Sequence, residues 1–338
     1  MSARLRILFA GPGVTLQDEG RRGFLRYGVT PAGPMDADAF LAATRAAGEG
    51  AAIEVSLGGV ELAAEGGAIG LAVCGGNFDV RLDGRVLPDA CALTLAPGAR
   101  LALRAGVSGA WAYVAPFGRF DVSKVLGSLS THTRSGLGGL EGRALVAGDA
   151  LRVLGARSGP KEPMALLAPW LGARPENFRV LLGPQHDFFE AETIALFLTT
   201  RWRLSARSDR MAYRLVGQML AHRAGHDIVS DGLTMGAIQV PGDGAPLVLM
   251  ADRQPTGGYP KIAHVIGADL PALAQKRPGE DIRFAAVSLE EAVAARRDRA
   301  RALAESLRLE AMTSELTSEI LLERNLVGGV VGDFNLPD

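Results

Sequence analysis

Directly after the apolar run Leu247-Val248-Leu249-Met250 the chain reads Asp252-Arg253-Gln254-Pro255-Thr256-Gly257-Gly258-Tyr259-Pro260-Lys261. A strand buried on both faces that ends in charged residues presents chemistry from a rigid edge. Arg253 offers a planar fork for carboxylate or phosphate, Lys261 a mobile point charge, and Asp252 an orienting partner or proton acceptor. With Tyr259 these are the candidate catalytic residues, and Gln239, Thr256, Gly257 and Gly258 are candidate substrate contacts. The competing reading is an internal Asp252/Arg253 ion pair that pins the turn. The crowding of Tyr, Lys, Gln and Thr into one stretch favours chemistry.

Three further segments combine glycines with charged or hydroxyl residues. Thr15-Leu16-Gln17-Asp18-Glu19-Gly20-Arg21 is followed by Gly33-Pro34-Met35-Asp36. The run from Ser130 to Gly139 sets His132 and Arg134 beside glycines whose amides can cradle an anion, or serves only as a crossover turn. The third, Ser208 to Arg214, carries Arg210 as a further candidate substrate contact. No phosphate-binding loop, nucleophile elbow or H-E-x-x-H pair occurs, so the sequence supports neither a P-loop ATPase, an α/β-hydrolase nor a zinc protease. His222 and His226 are spaced i, i+4 with Asp227 following, but no third ligand is near, and no metal is expected.

The elements that must hold these residues are mostly strands. Short apolar runs punctuated by 43 Gly and 18 Pro are the pattern of many strands joined by turns. Strands are expected at 53–57, 69–73, 100–104, 110–114, 179–182, 237–240, 246–250 and 282–287. Asp36 is placed to cap a helix to about Ala47, and Asp187 with Glu190 forms a capping-box pattern before Ile194 and Phe197. Ser288 with Glu291 repeats it and opens a helix expected to run to about Leu309 or beyond. Its stripe would be Leu289, Val293, Ala300, Leu303 and Leu307, continued by Leu309, Met312, Leu316 and Ile320 and followed by apolar residues from Leu326 to Val331. Four prolines between 156 and 177 mark a boundary. The expected units are a first β unit (1–158), a linker (159–177), a second β unit (178–287) and a helical extension (288–338).

A chain of 338 residues has length enough to bury two cores without staples. Lys plus Arg is 36 and Asp plus Glu 37, so no net field draws it to nucleic acid or anionic lipid. Cys74 and Cys91 read as small buried residues. The first apolar run is far shorter than a signal or spanning segment, so a cytoplasmic location is expected.

The motifs GVTLQDEGRRG (13–23), GPMD (33–36), LGSLSTHTRSGLGG (126–139), GPQHD (183–187), SDRMAYRL (208–215), SDGLTMGAIQVP (230–241) and MADRQPTGGYPKI (250–262) resemble one family. It is called allophanate hydrolase subunit 2, the C-type 5-oxoprolinase subunit or the biotin-dependent carboxyltransferase A/B domain. The resemblance covers roughly residues 5–290. It departs from the usual pattern at Ala32, Arg119, Ala212 and Pro255. It implies a mainly β chain with some α: two cyclophilin-like β-barrel subdomains plus the C-terminal helical extension. It also implies an activity shared with a smaller homologous subunit and a lactam-utilisation-type subunit. Such complexes open 5-oxoproline to glutamate with ATP. A related form transfers carboxylate from biotin to urea, and another relative is a regulatory module that antagonises an inhibitor of a histidine kinase. The chain has no nucleotide motif and no biotinyl-lysine motif, so biotin would arrive only on another chain.

Overall fold

The computed structural model describes residues 3–171, 175–223 and 225–312. The fold is mainly β. In the first half, one seven-stranded sheet has the order Arg119–Phe120, Ala150–Leu154, Arg4–Ala10, Val60–Glu65, Arg100–Ser108, Asn77–Leu82 and Arg85–Leu87. The second seven-stranded sheet runs Thr15–Gln17, Ala52–Val55, Ala112–Pro116, Ile69–Cys74, Cys91–Leu95, Met164–Leu167 and Arg308–Ala311. In the second half Asn177–Leu182, Lys261–Val265, Ala237–Gln239, Leu247–Leu249, Ala212–Val216, Trp202–Leu204 and Asp281–Ala286 close into a barrel. Its seam is the parallel pair Asn177–Leu182 with Asp281–Ala286. All eight expected strands are present, with ends shifted by a few residues.

Strand periodicity explains how the halves join. Ile69, Leu71 and Val73 point into the core between the two sheets, while Ala72 and Cys74 point the other way, into a core shared with the barrel. Val114 and Tyr113 divide in the same manner. Alternate side chains leave opposite faces of a strand, so a strand buried along its whole length must feed two cores. Small residues on the second face let helix α1 (Ala37–Ala47) approach through Ala39, Ala42, Ala43 and Ala47. Gly70 lies there too, and a Cβ at that position would sit 2.5 Å from the Gly159 nitrogen.

Asp36 caps α1 as expected, accepting from the amides of Asp38 and Ala39 at 2.9 and 3.0 Å. The second cap differs. Helix α2 (Ala191–Thr199) starts after Glu190 with no side-chain cap, because His186–Phe188 makes its own tight turn and buries Phe189 before the helix begins. After the short helix α3 (Leu270–Ala274), helix α4 (Leu289–Ala304) has both halves of the Ser288/Glu291 capping box.

Helix α4 stops well short of Leu309. The chain turns and Arg308–Ala311 pairs antiparallel with Met164–Leu167, Leu309 opposite Leu166, satisfying a sheet edge that a longer helix would leave open. The proline-rich stretch read as a linker therefore contains a strand of the first half. The apolar stripe is also displaced: Leu289 is 62% exposed and Val293 38%, whereas Ala295 is buried. Arg299, on the docked side, pairs with Asp38 of α1. Leu316, Ile320 and Leu326 to Val331 lie outside the described residues. No helix among the described residues is long and apolar enough to cross a membrane.

Since the last strand completes a sheet of the first half, deleting residues 305–338 should lower the melting temperature by at least about 1.4 °C, as loss of about 1 kcal/mol does in a chain of this size. Differential scanning calorimetry tests this. An unchanged melting temperature would show that the sheet is complete without Arg308–Ala311.

Candidate functional site

The strand Ala52–Val55 is wholly buried, yet carries Glu54. A carboxylate with no exposure needs a fixed counter-charge, and the barrel supplies it. Arg210, just before the strand Ala212–Val216, reaches across and bonds the Glu54 carboxylate through Nη1. The same guanidinium grips Asp252 in a two-point fork, Nε to Oδ2 at 2.9 Å and Nη2 to Oδ1 at 2.8 Å. It also donates to the Gly33 carbonyl at 2.7 Å. Burial alone would make Arg210 easier to deprotonate; the charges of Asp252 and Glu54 override it and hold the cation well above its ordinary value. For Glu54 the balance falls the other way, and burial raises the carboxyl above its ordinary value despite Arg210.

Hydrogen bonds extend from this cation along the seam between the halves. Tyr113 Oη donates to Glu54 Oε2 at 2.8 Å and accepts from the Asp36 amide at 2.8 Å. Gln275 Nε2 donates to Asp36 Oδ2 at 2.7 Å, and Gln275 Oε1 accepts from the amides of Ala110 and Trp111. The indole of Trp111 donates to Tyr213 Oη at 3.1 Å. Burial pushes the Asp36 carboxyl up to about 6, against the bonds from Ala39 and Gln275.

The sequence-predicted residues fall into separate places. Asp252 and Arg210 join at the seam, and His132 comes to them, its Nε2 3.4 Å from the Asp252 carbonyl. Arg253 turns away from Asp252: its Nε donates to the Leu233 carbonyl at 3.2 Å, so the partner of Asp252 is Arg210 and not its neighbour. Burial lowers the Arg253 pKa, partly offset by Asp252.

A second cluster forms around the two-stranded ribbon Asp231–Gly232 with Thr256–Gly257. There Lys261, only 6% exposed, donates to Asp231 at 2.7 Å. That bond holds the Asp231 carboxyl below its usual range. Gln239 donates to the Tyr259 carbonyl at 3.2 Å, closing the turn through Gly258. Arg134 is exposed and paired with Asp209 at 2.9 Å. His222, part of the i, i+4 pair, meets the Val240 carbonyl at 3.0 Å.

Several site residues escaped the sequence reading. Glu54 could have been noticed as the one charge inside an apolar strand, and Asp231 stood in the 230–241 motif without a role. Gln275 carried no signal. Burial raises both cysteine thiols, Cys91 to about 12, so neither is an activated nucleophile. A cleft of about 790 Å³ borders the seam at Asp36 and Gln275 and is lined further by Asp38, Trp170, Arg179 and Arg299 among others; none of the sequence-predicted site residues lines it.

Removing the central cation tests the seam. Arg210→Ala would strand Glu54 and Asp252 and should destabilise the fold by about 3–5 kcal/mol in urea unfolding. A loss under about 1 kcal/mol would show that apolar packing alone holds the seam. For Asp36, whose ordinary value is 3.8, the folded state holds the proton longer than the unfolded one. Its contribution to stability is thus fully present below about 4 and is lost as pH rises through about 6. The Asp36 carboxyl resonance should titrate near pH 6; a midpoint near 4 would show that its hydrogen bonds outweigh burial.

Comparison with known proteins agrees with this architecture. The chain is 39% identical over 302 residues to the C-type 5-oxoprolinase subunit of Escherichia coli K12, covering 88% of this chain and 96% of that protein. It is 32% identical over 311 residues to urea amidolyase of Saccharomyces cerevisiae, covering 85% of this chain but 17% of that one. The crystal structure of the Kluyveromyces lactis urea amidolyase superposes with a TM-score of 0.81 at 28% identity, over 94% of this chain and 20% of that one. The family described as "Carboxyltransferase domain, subdomain A and B" matches residues 27–286, and the chain belongs to that family.

Proposed function

We propose that this chain is one subunit of an ATP-dependent 5-oxoprolinase, a complex that opens the lactam of 5-oxoproline to glutamate. The observation that carries the reading is length: the chain is nearly coextensive with the C-type 5-oxoprolinase subunit, but corresponds to a small part of the urea amidolyases. In this reading the other members are a smaller homologous subunit and a lactam-utilisation-type subunit, and the complex works in the cytoplasm.

The geometry suits a shared rather than a self-sufficient site. Lys261 is a desolvated ammonium fixed by Asp231, placed to favour negative charge developing on a carbonyl oxygen. Arg253 is a second cation a few residues away in the chain, in the field of Asp252. Tyr259, 39% exposed, stands at the surface where a partner could close the site. Bound ATP would supply the driving force for ring opening. In this reading ATP is used by the complex, and this chain carries no nucleotide motif.

The second reading is a carboxyltransferase part of a biotin-dependent urea carboxylase system, favoured by the TM-score of 0.81 to the K. lactis enzyme. The two readings separate on the co-substrate. With its two partner subunits the chain should release glutamate from 5-oxoproline and ATP, and alone it should release none. Robust release by the isolated chain would overturn shared catalysis; carboxylation of urea by a complex containing a biotinylated carrier would favour the second reading. In the active complex Arg253→Ala and Lys261→Ala should each lower turnover at least about tenfold, since a charge-assisted contact contributes about 1.5–3 kcal/mol. Full turnover from folded variants would leave these cations as turn-pinning groups only.

A further inference from the structure

Arg21 is 1% exposed, and Gln17 on the same segment is fully buried. Three consecutive residues organise this part of the seam. The Ser130 carbonyl accepts from Arg21 Nη2, the Thr131 carbonyl accepts from Gln17 Nε2 at 3.1 Å, and His132 reaches the Asp252 carbonyl. The Arg21 guanidinium and the Gln17 amide thus bond the carbonyls of adjacent residues. Yet no protein group accepts from Arg21 Nε or Nη1, and none donates to Gln17 Oε1.

The two nearby carboxylates explain why. Asp252 and Asp18 both lend Arg21 their charge, against a larger desolvation. Neither accepts its protons: their bonds are made to other groups. Asp252 has both oxygens in the Arg210 fork. Asp18 accepts from the Gly20 amide at 2.9 Å, Ser128 Oγ at 2.5 Å, the Leu129 amide at 2.6 Å and Ser130 Oγ at 2.8 Å. A buried cation with idle donors is unfavourable for the fold by itself, and groups of this kind are found where a ligand completes them. Gly138 keeps the space: a Cβ there would stand 2.6 Å from Arg21 Nη2. The adjoining turn, residues 22–28, is largely exposed and is bounded by Gly20 and Gly28, both at positive φ.

The idle groups define the ligand: donors for an anion at Arg21, and an acceptor for an N–H at Gln17, whose amide bonds the carbonyl of the next residue along. We propose that Arg21 binds the carboxylate, and Gln17 the amide N–H, of the small lactam acid on which the complex acts, an assignment that rests on the function proposed above. Both are binding and positioning residues.

The test uses the assembled complex and two probes, 5-oxoproline and pyrrolidinone, the same ring without its carboxylate. Affinities are read by calorimetry. Arg21→Met should weaken 5-oxoproline at least about tenfold while leaving pyrrolidinone within about twofold of wild type. Its melting temperature should not fall, because the variant removes an incompletely bonded cation; a structural arginine would lower it. Gln17→Leu should weaken both probes alike, and Arg21→Lys should recover part of the 5-oxoproline affinity, which keeps the test open should Arg21→Met fail to fold. Unchanged 5-oxoproline binding by Arg21→Met, equal loss of both probes in that variant, or no binding of 5-oxoproline by wild type would overturn the assignment. The function is scored separately by glutamate release with ATP. Cleavage with an unchanged KM in Arg21→Met removes the assignment and keeps the function; binding through Arg21 without cleavage does the reverse.

Discussion

One buried guanidinium holds the two halves of this molecule in register. Arg210 leaves the barrel, enters the first half and is bonded by Glu54, Asp252 and the Gly33 carbonyl together. A pair of this kind is seldom worth more than the apolar contacts that could replace it, because desolvating three charges offsets most of their attraction. Its effect is directional. Apolar surfaces slide over one another at little cost, whereas a fork bonded at both ends tolerates one orientation. The halves therefore meet at a defined angle, and everything strung along the seam, from Tyr113 and Asp36 to Gln275, inherits that alignment.

The same commitment shapes the chemistry. Because the Asp252 carboxylate is tied to Arg210, its carbonyl and charge are what reach His132, Arg21 and Arg253. The charged residues that crowd the end of the Leu247–Leu249 strand divide between the seam and the ribbon of Asp231 and Lys261. The two places are connected by the chain between Asp252 and Lys261, whose glycines allow the ribbon turn.

What the chain determined by itself is local. Strand periodicity, glycine and proline punctuation and the caps at Asp36 and Ser288 are encoded within a few neighbouring residues, so the mainly β architecture, its strands, helix α1 and the start of α4 were legible. The long motifs also carried the family, because seven of them in order leave few alternatives. Which polar side chains matter was legible only as clusters along the chain. Arg210, Asp252, His132 and Lys261 were picked out, but Glu54, the second partner of Arg210, and Asp231, the partner of Lys261, were not, since they come from other segments.

Tertiary structure decided the rest, for reasons of edge and charge. A helix pattern continuing past Ala304 gave way because the Met164–Leu167 edge had unpaired backbone groups that Arg308–Ala311 could satisfy, a non-local demand that no helical propensity reports. Asp252 chose Arg210 over the adjacent Arg253 because the turn there sends the Arg253 side chain to the Leu233 carbonyl, while a residue folded in from elsewhere can meet the carboxylate face on. Sequence specifies what each segment prefers to be. The pairing of buried charges depends on which segments the closed fold brings within hydrogen-bonding reach of one another, and that is a property of the whole chain.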